Sequence, residues 1–273
     1  YAAAATFRRE AALLGRLRHP NIVALLGHCV GAGVERPCLV CEFMEGASLK
    51  DRLDAASSAA ATALTWRERH TIASDVARGL AFLHTEADPL IIHQDVKPAN
   101  ILLGAAPGGN SGNAGGIVAK LADFGISRVV PELAATAAKS YVKTQHAAGT
   151  PIYMPMELHR SGRVSVKVDA YAFGIVLLEL LTGRPPRDPK TKEPLDSALY
   201  DVLQNPKRHM QDAVDRRAGS WEPQAWCKLM AIARRCSESE YRRRCAVADV
   251  VAEIDALAGR GGGRSRWGLG SRS

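Results

Sequence analysis

The chain has 273 residues, a hydrophobic fraction of 47% and a formal charge of +8 at neutral pH. This length can bury a substantial core, and the composition excludes disordered and fibrous classes. No run of eighteen apolar residues occurs and no basic segment precedes an apolar one at the start, so neither a membrane span nor a secretory leader is expected.

In chain order, strand-like runs come first, near Ile22–Cys29 and Cys38–Phe43. Cys38 and Cys41 read as C-x-x-C, but residues three apart on a strand face opposite sides. We therefore expect reduced strand cysteines there and no metal or redox centre. The six cysteines are scattered without a framework, which fits a reducing, cytoplasmic compartment. An alanine- and serine-rich segment, 54–63, then leads to the capping box Thr65-x-x-Glu68. Ile72, Val76, Leu80 and Leu83 follow at helical spacing. Ile101–Leu103 and Ile117–Leu121 flank a glycine-rich stretch, predicting a hairpin with an expanded tip. Residues 171–181 are apolar nearly all round, except for Glu179, and predict a central buried helix. It should begin near Asp169 and stop at Gly183-Arg184-Pro185-Pro186. Val250, Val251, Ile254 and Leu257 predict a last amphipathic helix. The tail, 259–273, is rich in glycine and contains Arg260, Arg264, Arg266 and Arg272, half of the net charge. It reads as a flexible solvated extension and not as a specific nucleic-acid surface.

The densest chemistry lies in His93-Gln94-Asp95-Val96-Lys97-Pro98-Ala99-Asn100, followed by Asp123-Phe124-Gly125. Together they supply a carboxylate, an ammonium, an amide and a second carboxylate. Phosphoryl transfer from a magnesium nucleotide needs that set: a group to orient the nucleophile, a cation for the moving phosphoryl and hard oxygens for the metal. His93, Asp95, Lys97 and Asn100 would arise together by chance with a probability on the order of 10⁻³ in a chain this long. Asp-Phe-Gly soon after lowers that to roughly 10⁻⁵.

These residues resemble the catalytic loop and metal-binding motif of eukaryotic protein kinases. Leu64-Thr65-Trp66 and the helix after it resemble the tyrosine-kinase-like group, in particular plant receptor-like serine/threonine kinases. The resemblance implies an α+β, protein-kinase-like fold: a partial N-lobe over 1–44, a mostly helical C-lobe over 45–258, and the tail. It implies ATP and Mg2+ as cofactors and serine or threonine hydroxyls of proteins as substrates. Asp95, Lys97 and Asn100 become the catalytic residues, and Asn100 and Asp123 the magnesium ligands. Glu10 corresponds to the glutamate that pairs with the nucleotide-positioning lysine. Cys41 becomes the gatekeeper, Glu42 and Met44 the backbone facing adenine, and Leu102 the floor beneath the base. Thr150 lies in the substrate-facing loop. Leu14, Leu25, His93 and Phe124 match the spine linking the lobes. Asp169 matches the aspartate that holds the catalytic loop by its backbone, and Glu157 and Arg244 match an ion pair behind the activation segment. Gly125 is expected to let the backbone turn after the metal ligand.

Three departures stand out. No G-x-G-x-x-G and no lysine of the Val-Ala-Ile-Lys type precede Glu10, as in an N-terminally truncated domain. The polypeptide by itself is therefore expected to bind magnesium ATP weakly, to transfer phosphate slowly or not at all, and to expose a strand edge and the apolar side of its first helix. A protein partner covering that surface, or a role as a catalytically impaired interaction module, is the alternative expectation. Second, Gln94 stands where many kinases have arginine and cannot grip a phosphate bidentately. Phosphorylation of Thr136, Ser140, Tyr141 or Thr144 should thus matter little for loop order, and alanine at these sites should leave the activity of a complete domain intact. Third, Pro155-Met156-Glu157 and Arg244-Cys245 replace the usual Ala-Pro-Glu and Arg-Pro.

Overall fold

A computed structural model describes residues 7, 10–29, 38–55, 63–106, 116–130, 142–143 and 148–257. Arg8 and Arg9, most of the 54–63 segment, the hairpin tip, Thr136, Ser140, Tyr141, Thr144 and the arginine tail lie outside the described residues.

Residues 10–14 form helix α1. Strands β1 (Leu25–Cys29) and β2 (Cys38–Cys41) pair antiparallel, with a register shift between Leu25 and Gly27. Both are shorter than the runs expected, and Ile22 instead makes an isolated bridge to Leu121. Contrary to expectation, the apolar side of α1 is covered: Ala11, Leu14 and Leu17 are buried. Leu26, Val40 and Phe43 of this region are exposed, the last 90% accessible.

Helix α2 (Leu49–Ala55) leads to α3 (Trp66–Thr85). The capping box forms as expected. Thr65 Oγ1 accepts the Glu68 N–H, and the Glu68 carboxylate accepts the Thr65 N–H at 2.7 Å. One face of α3 lies against Asn21 and Leu121. A Cβ at Gly79 would stand 2.9 Å from the Asn21 carbonyl oxygen, so the helix approaches this closely only because residue 79 is glycine. Strands β3 (Ile91–Ile92), β4 (Ile101–Ala105) and β5 (Ile117–Leu121) follow. The expected hairpin is β4–β5, in register from Ile101↔Leu121 to Ala105↔Ile117. Short β6 (Arg128–Val129) pairs with β3, and β7 (Val142–Lys143) with β8 (Arg163–Val164). The turn after Asp123 differs from the expectation. The left-handed residue is Asp123 itself, with φ 65°, and not Gly125.

Helix α4 (Met156–Ser161) precedes α5 (Val166–Thr182), the axis of the fold. Ser165 caps α5, so it begins slightly earlier than the sequence suggests, and Gly183 ends it with φ 63°. Phe173, Val176, Leu177 and Leu178 are wholly buried, as a helix apolar on every side requires. Helices α6 (Leu195–Ala198), α7 (Tyr200–Gln204), α8 (Pro206–Ala213), α9 (Pro223–Cys236) and α10 (Val251–Asp255) complete the body. Helix α9 lies along one side of α5 and α3 along another. At the C-terminal end of α5 the buried Arg69 donates to the Leu180 carbonyl and pairs with Asp215 at 2.7 Å. Helices dominate, and the strands form four two-stranded sheets among the described residues, the expected α+β composition.

Candidate active site

The loop 93–100 connects β3 to β4, and its shape is set from below by α5. Asp169, fully buried in the first turn of α5, accepts the backbone N–H groups of His93 and Gln94, both at 2.8 Å. Gln94 is held left-handed at φ 70°. His84 on α3 also bonds Asp169 Oδ2, at 2.7 Å. That oxygen is already an acceptor, so the imidazole Nε2 carries the proton. His93 accepts the Asp95 N–H at Nδ1 and donates from Nε2 to the Ala122 carbonyl. Burial lowers its pKa, so it stays neutral, which this bonding pattern requires. Its ring centroid stands 4.7 Å from that of Phe124, joining the catalytic loop to the Asp-Phe-Gly turn.

Asp95 is the hub. Lys97 Nζ reaches its Oδ2 at 2.6 Å, and Asn100 Nδ2 reaches the same oxygen at 2.9 Å. Thr150 donates to Oδ1 through both its N–H and its hydroxyl, at 3.1 and 2.9 Å. Lys97 Nζ in turn donates to the Thr150 hydroxyl at 2.8 Å. Burial pushes the Asp95 carboxyl up, but the hydrogen bonds from Lys97, Thr150 and Asn100 outweigh it and hold the group below the ordinary carboxylate range. Asp95 is thus ionised at neutral pH and suited to orienting a hydroxyl. Gly149 makes the approach of Thr150 possible. Its φ is 122°, and a Cβ there would stand 2.7 Å from the Gln94 carbonyl oxygen.

Asn100 commits its amide nitrogen to Asp95, so its oxygen is the atom left for a cation. Asp123 is exposed and follows Ala122, whose N–H the β4–β5 hairpin register brings to the Asn100 carbonyl at 2.9 Å. The buried Asn100 amide oxygen and the exposed Asp123 carboxylate are hard donors of the kind magnesium takes, with waters and phosphate oxygens for the rest. Glu10 comes to the same place. A Cβ on Gly125 would lie 3.4 Å from Asp123 Oδ1 and 3.6 Å from Glu10 Oε2. Burial first, then Asp123, raises the Glu10 pKa, while the Phe124 N–H bonded to it acts in the opposite sense. Among the described residues no cation contributes to its surroundings.

Cys41, Glu42 and Met44 lie where β2 leaves its sheet. The Glu42 N–H is bonded to the Ala24 carbonyl, and its carboxylate is held by Lys120 at 2.7 Å. Leu102 sits on β4, bridged to Ser48. Gln94, standing where many kinases have arginine, donates its side-chain amide to the Ile126 carbonyl and so ties the catalytic loop to the segment after Asp-Phe-Gly.

Three residues escape a reading of the sequence alone. A cavity of about 500 Å³ opens beside Lys97 and Thr150, and Lys50, Tyr153 and Glu179 help to line it. The Tyr153 hydroxyl donates to Glu179 at 2.8 Å, and burial raises the Glu179 carboxyl to about 8. A single acid inside an apolar helix was the available signal. Behind the cavity, Arg244 and Glu157 form the expected ion pair at 2.5 Å, with the Arg244 side chain fully buried.

With this geometry the chain belongs to the protein tyrosine and serine/threonine kinase family, whose model it matches over residues 2–254. Among its relatives, the leucine-rich repeat receptor protein kinase MSL1 of Oryza sativa subsp. japonica is 36% identical over 264 residues, covering 92% of this chain and 17% of that protein. Receptor-like kinase TMK4 of Arabidopsis thaliana is 38% identical over 243 residues, covering 87% and 24%. Serine/threonine-protein kinase PBS1, also of Arabidopsis thaliana, is 35% identical over 255 residues, covering 92% and 52%. The chain therefore spans between about a sixth and about half of these relatives.

Proposed function

We propose that the chain carries a protein serine/threonine kinase site, which transfers the γ-phosphoryl group of ATP to a serine or threonine hydroxyl of a protein. The observation that carries this reading is the network joining Asp95, Lys97, Asn100 and Thr150. In it, Asp95 orients the entering hydroxyl, which replaces Thr150 at Oδ1, while Lys97 offsets charge on the phosphoryl in flight. Asn100 and Asp123 would hold Mg2+, which when bound neutralises the nucleotide phosphates. The Glu42 carbonyl and the Met44 backbone would meet the adenine edge, Cys41 would stand behind the base and Leu102 beneath it. The protein substrate would lie over Thr150, with the cavity lined by Tyr153 and Glu179 taking a neighbouring side chain. No helix among the described residues is long and apolar enough to cross a membrane. A cytoplasmic setting, or the cytoplasmic side of a membrane, is part of the same proposal.

A second reading, a non-catalytic docking module, is favoured by Glu10 lacking a cation among the described residues and by exposed Leu26, Val40 and Phe43, which an apolar partner surface would cover. One experiment separates the two. A glycine-rich loop and lysine-bearing strand from a receptor-like relative are joined ahead of Glu10, and phosphate transfer to a serine-containing protein is measured. The kinase reading expects transfer that falls by about 100-fold or more in Asp95→Asn, the scale of losing a positioned acid–base group. Equal rates in the two proteins would overturn it.

A further inference from the structure

Cys236 ends α9 and is fully buried, while Cys245 is half-buried on the far side of the turn 237–244. Their sulfurs are 3.4 Å apart. The Cys245 N–H donates to the Arg235 carbonyl at 3.2 Å, so the backbones run alongside each other at this point. Cys236 is backed by Gly174 of α5, where an added Cβ would stand 3.0 Å from the Cys236 Cβ. One thiol is therefore held in place and the other is reachable from solvent. Bonding needs the sulfurs to close from 3.4 Å to about 2.05 Å.

We infer that Cys236 and Cys245 are an oxidative modification site, a thiol pair that a hydroperoxide converts to a disulfide across the turn bearing Arg244. The Cys245 thiolate attacks the peroxide oxygen, the O–O bond breaks, and hydroxide leaves as Cys245 becomes a sulfenic acid. Cys236 then attacks that sulfur and displaces a second hydroxide. The two thiol protons convert both hydroxides to water, so each cysteine loses one electron and the peroxide gains two. The surroundings suit these roles. The hydrogen bond from Cys236 lowers the Cys245 thiol to about 7 against the opposing effect of burial, and Arg235 and Lys167 help. The same hydrogen bond and burial raise Cys236, so it stays a protonated thiol while Cys245 reacts first, and it gives up its proton to hydroxide when it attacks. The turn so closed is assembled on Arg244, which donates to the Glu238 carbonyl at 2.8 Å and pairs with Glu157. The crosslink would tie that anchor to α9.

The test uses the 273-residue chain, its fold checked by circular dichroism. The protein is treated with one equivalent of hydrogen peroxide, capped with N-ethylmaleimide and digested with trypsin without reductant. Trypsin leaves Cys236 in residues 236–242 and Cys245 in residues 245–260, while Cys29, Cys38 and Cys41 stay together in 19–50. The expected product links the first two peptides, separates on reduction, and forms in lower yield in denaturant. Oxidation should also raise the unfolding midpoint of the parent protein and not that of Cys245→Ala; Cys245→Ser serves if the alanine variant does not fold. Recovery of both peptides as maleimide adducts, oxidation of Cys245 to sulfinic acid with Cys236 still free, or preferential crosslinking of other cysteines would each overturn the inference.

Discussion

Glu179 illustrates how one side chain takes on opposite properties in sequence and in space. Along the chain it interrupts an apolar helix, yet in the fold it is 5% exposed at the wall of the cavity with Tyr153 bonded to it. Its carboxyl is raised from 4.5 to about 8 chiefly by burial, which disfavours the charged form. A folded-state pKa raised above the unfolded one means that this contribution to stability is complete below about pH 4.5 and is lost as pH rises through 8. The shift corresponds to roughly 4–5 kcal/mol across that window. Glu179→Gln keeps the acceptor for Tyr153 and removes the titration. In urea melts the variant should match the parent near pH 5 and exceed it above pH 8. A pH-independent difference between the two would show that Glu179 does not titrate in this range.

At the scale of elements, the buried Arg244 guanidinium helps tie the turn after α9 to Glu157 of α4 and to the first turn of α5. Arg244 pairs with Glu157, donates to the Lys167 carbonyl at 2.9 Å and stands 5.2 Å from the Tyr171 ring centroid. Arg244→Ala removes all of these and leaves Glu157 without its cation. The expected loss is about 3 kcal/mol, the lower end for a broken buried pair because the Glu157 side chain is 18% exposed. A reduced urea midpoint at unchanged slope would report it; a change under 1 kcal/mol would mean that the turn is held by its backbone alone. Other elements show what local patterns convey. The capping box, the β4–β5 hairpin and the glycine stop of α5 depend on neighbours in sequence, and each forms where its residues predict. The covering of α1 depends on packing with distant residues, and there the expectation of exposure was wrong.

For the whole molecule, the proposed site residues fall into two groups. Asp95, Lys97, Asn100 and Thr150 are cross-bonded within a buried frame supplied by Asp169. Glu10, Cys41, Glu42 and Met44 are the residues proposed to face the nucleotide, and the given sequence holds no glycine-rich motif ahead of Glu10. Isothermal calorimetry on the 273-residue chain should therefore find no stoichiometric magnesium-ATP binding at micromolar concentration. Joining the loop and lysine strand ahead of Glu10 should restore it. Micromolar binding by the unmodified chain would show that the described residues suffice to hold the nucleotide.

The sequence by itself determined the family and the chemical inventory, because the spacing from His93 to Asn100 and the Asp-Phe-Gly turn encode local geometry that a single loop can express. It also determined the caps, the hairpin and the central helix, whose signals lie within a few residues. Only the tertiary structure decided that Thr150 occupies Asp95, that Gln94 fastens Ile126, that Glu179 lines a cavity wall with its carboxyl raised by burial, and that Cys245 meets Cys236. Each of these joins residues from different elements or across a turn. Burial and approach at such distances are properties of packing, which no local pattern records.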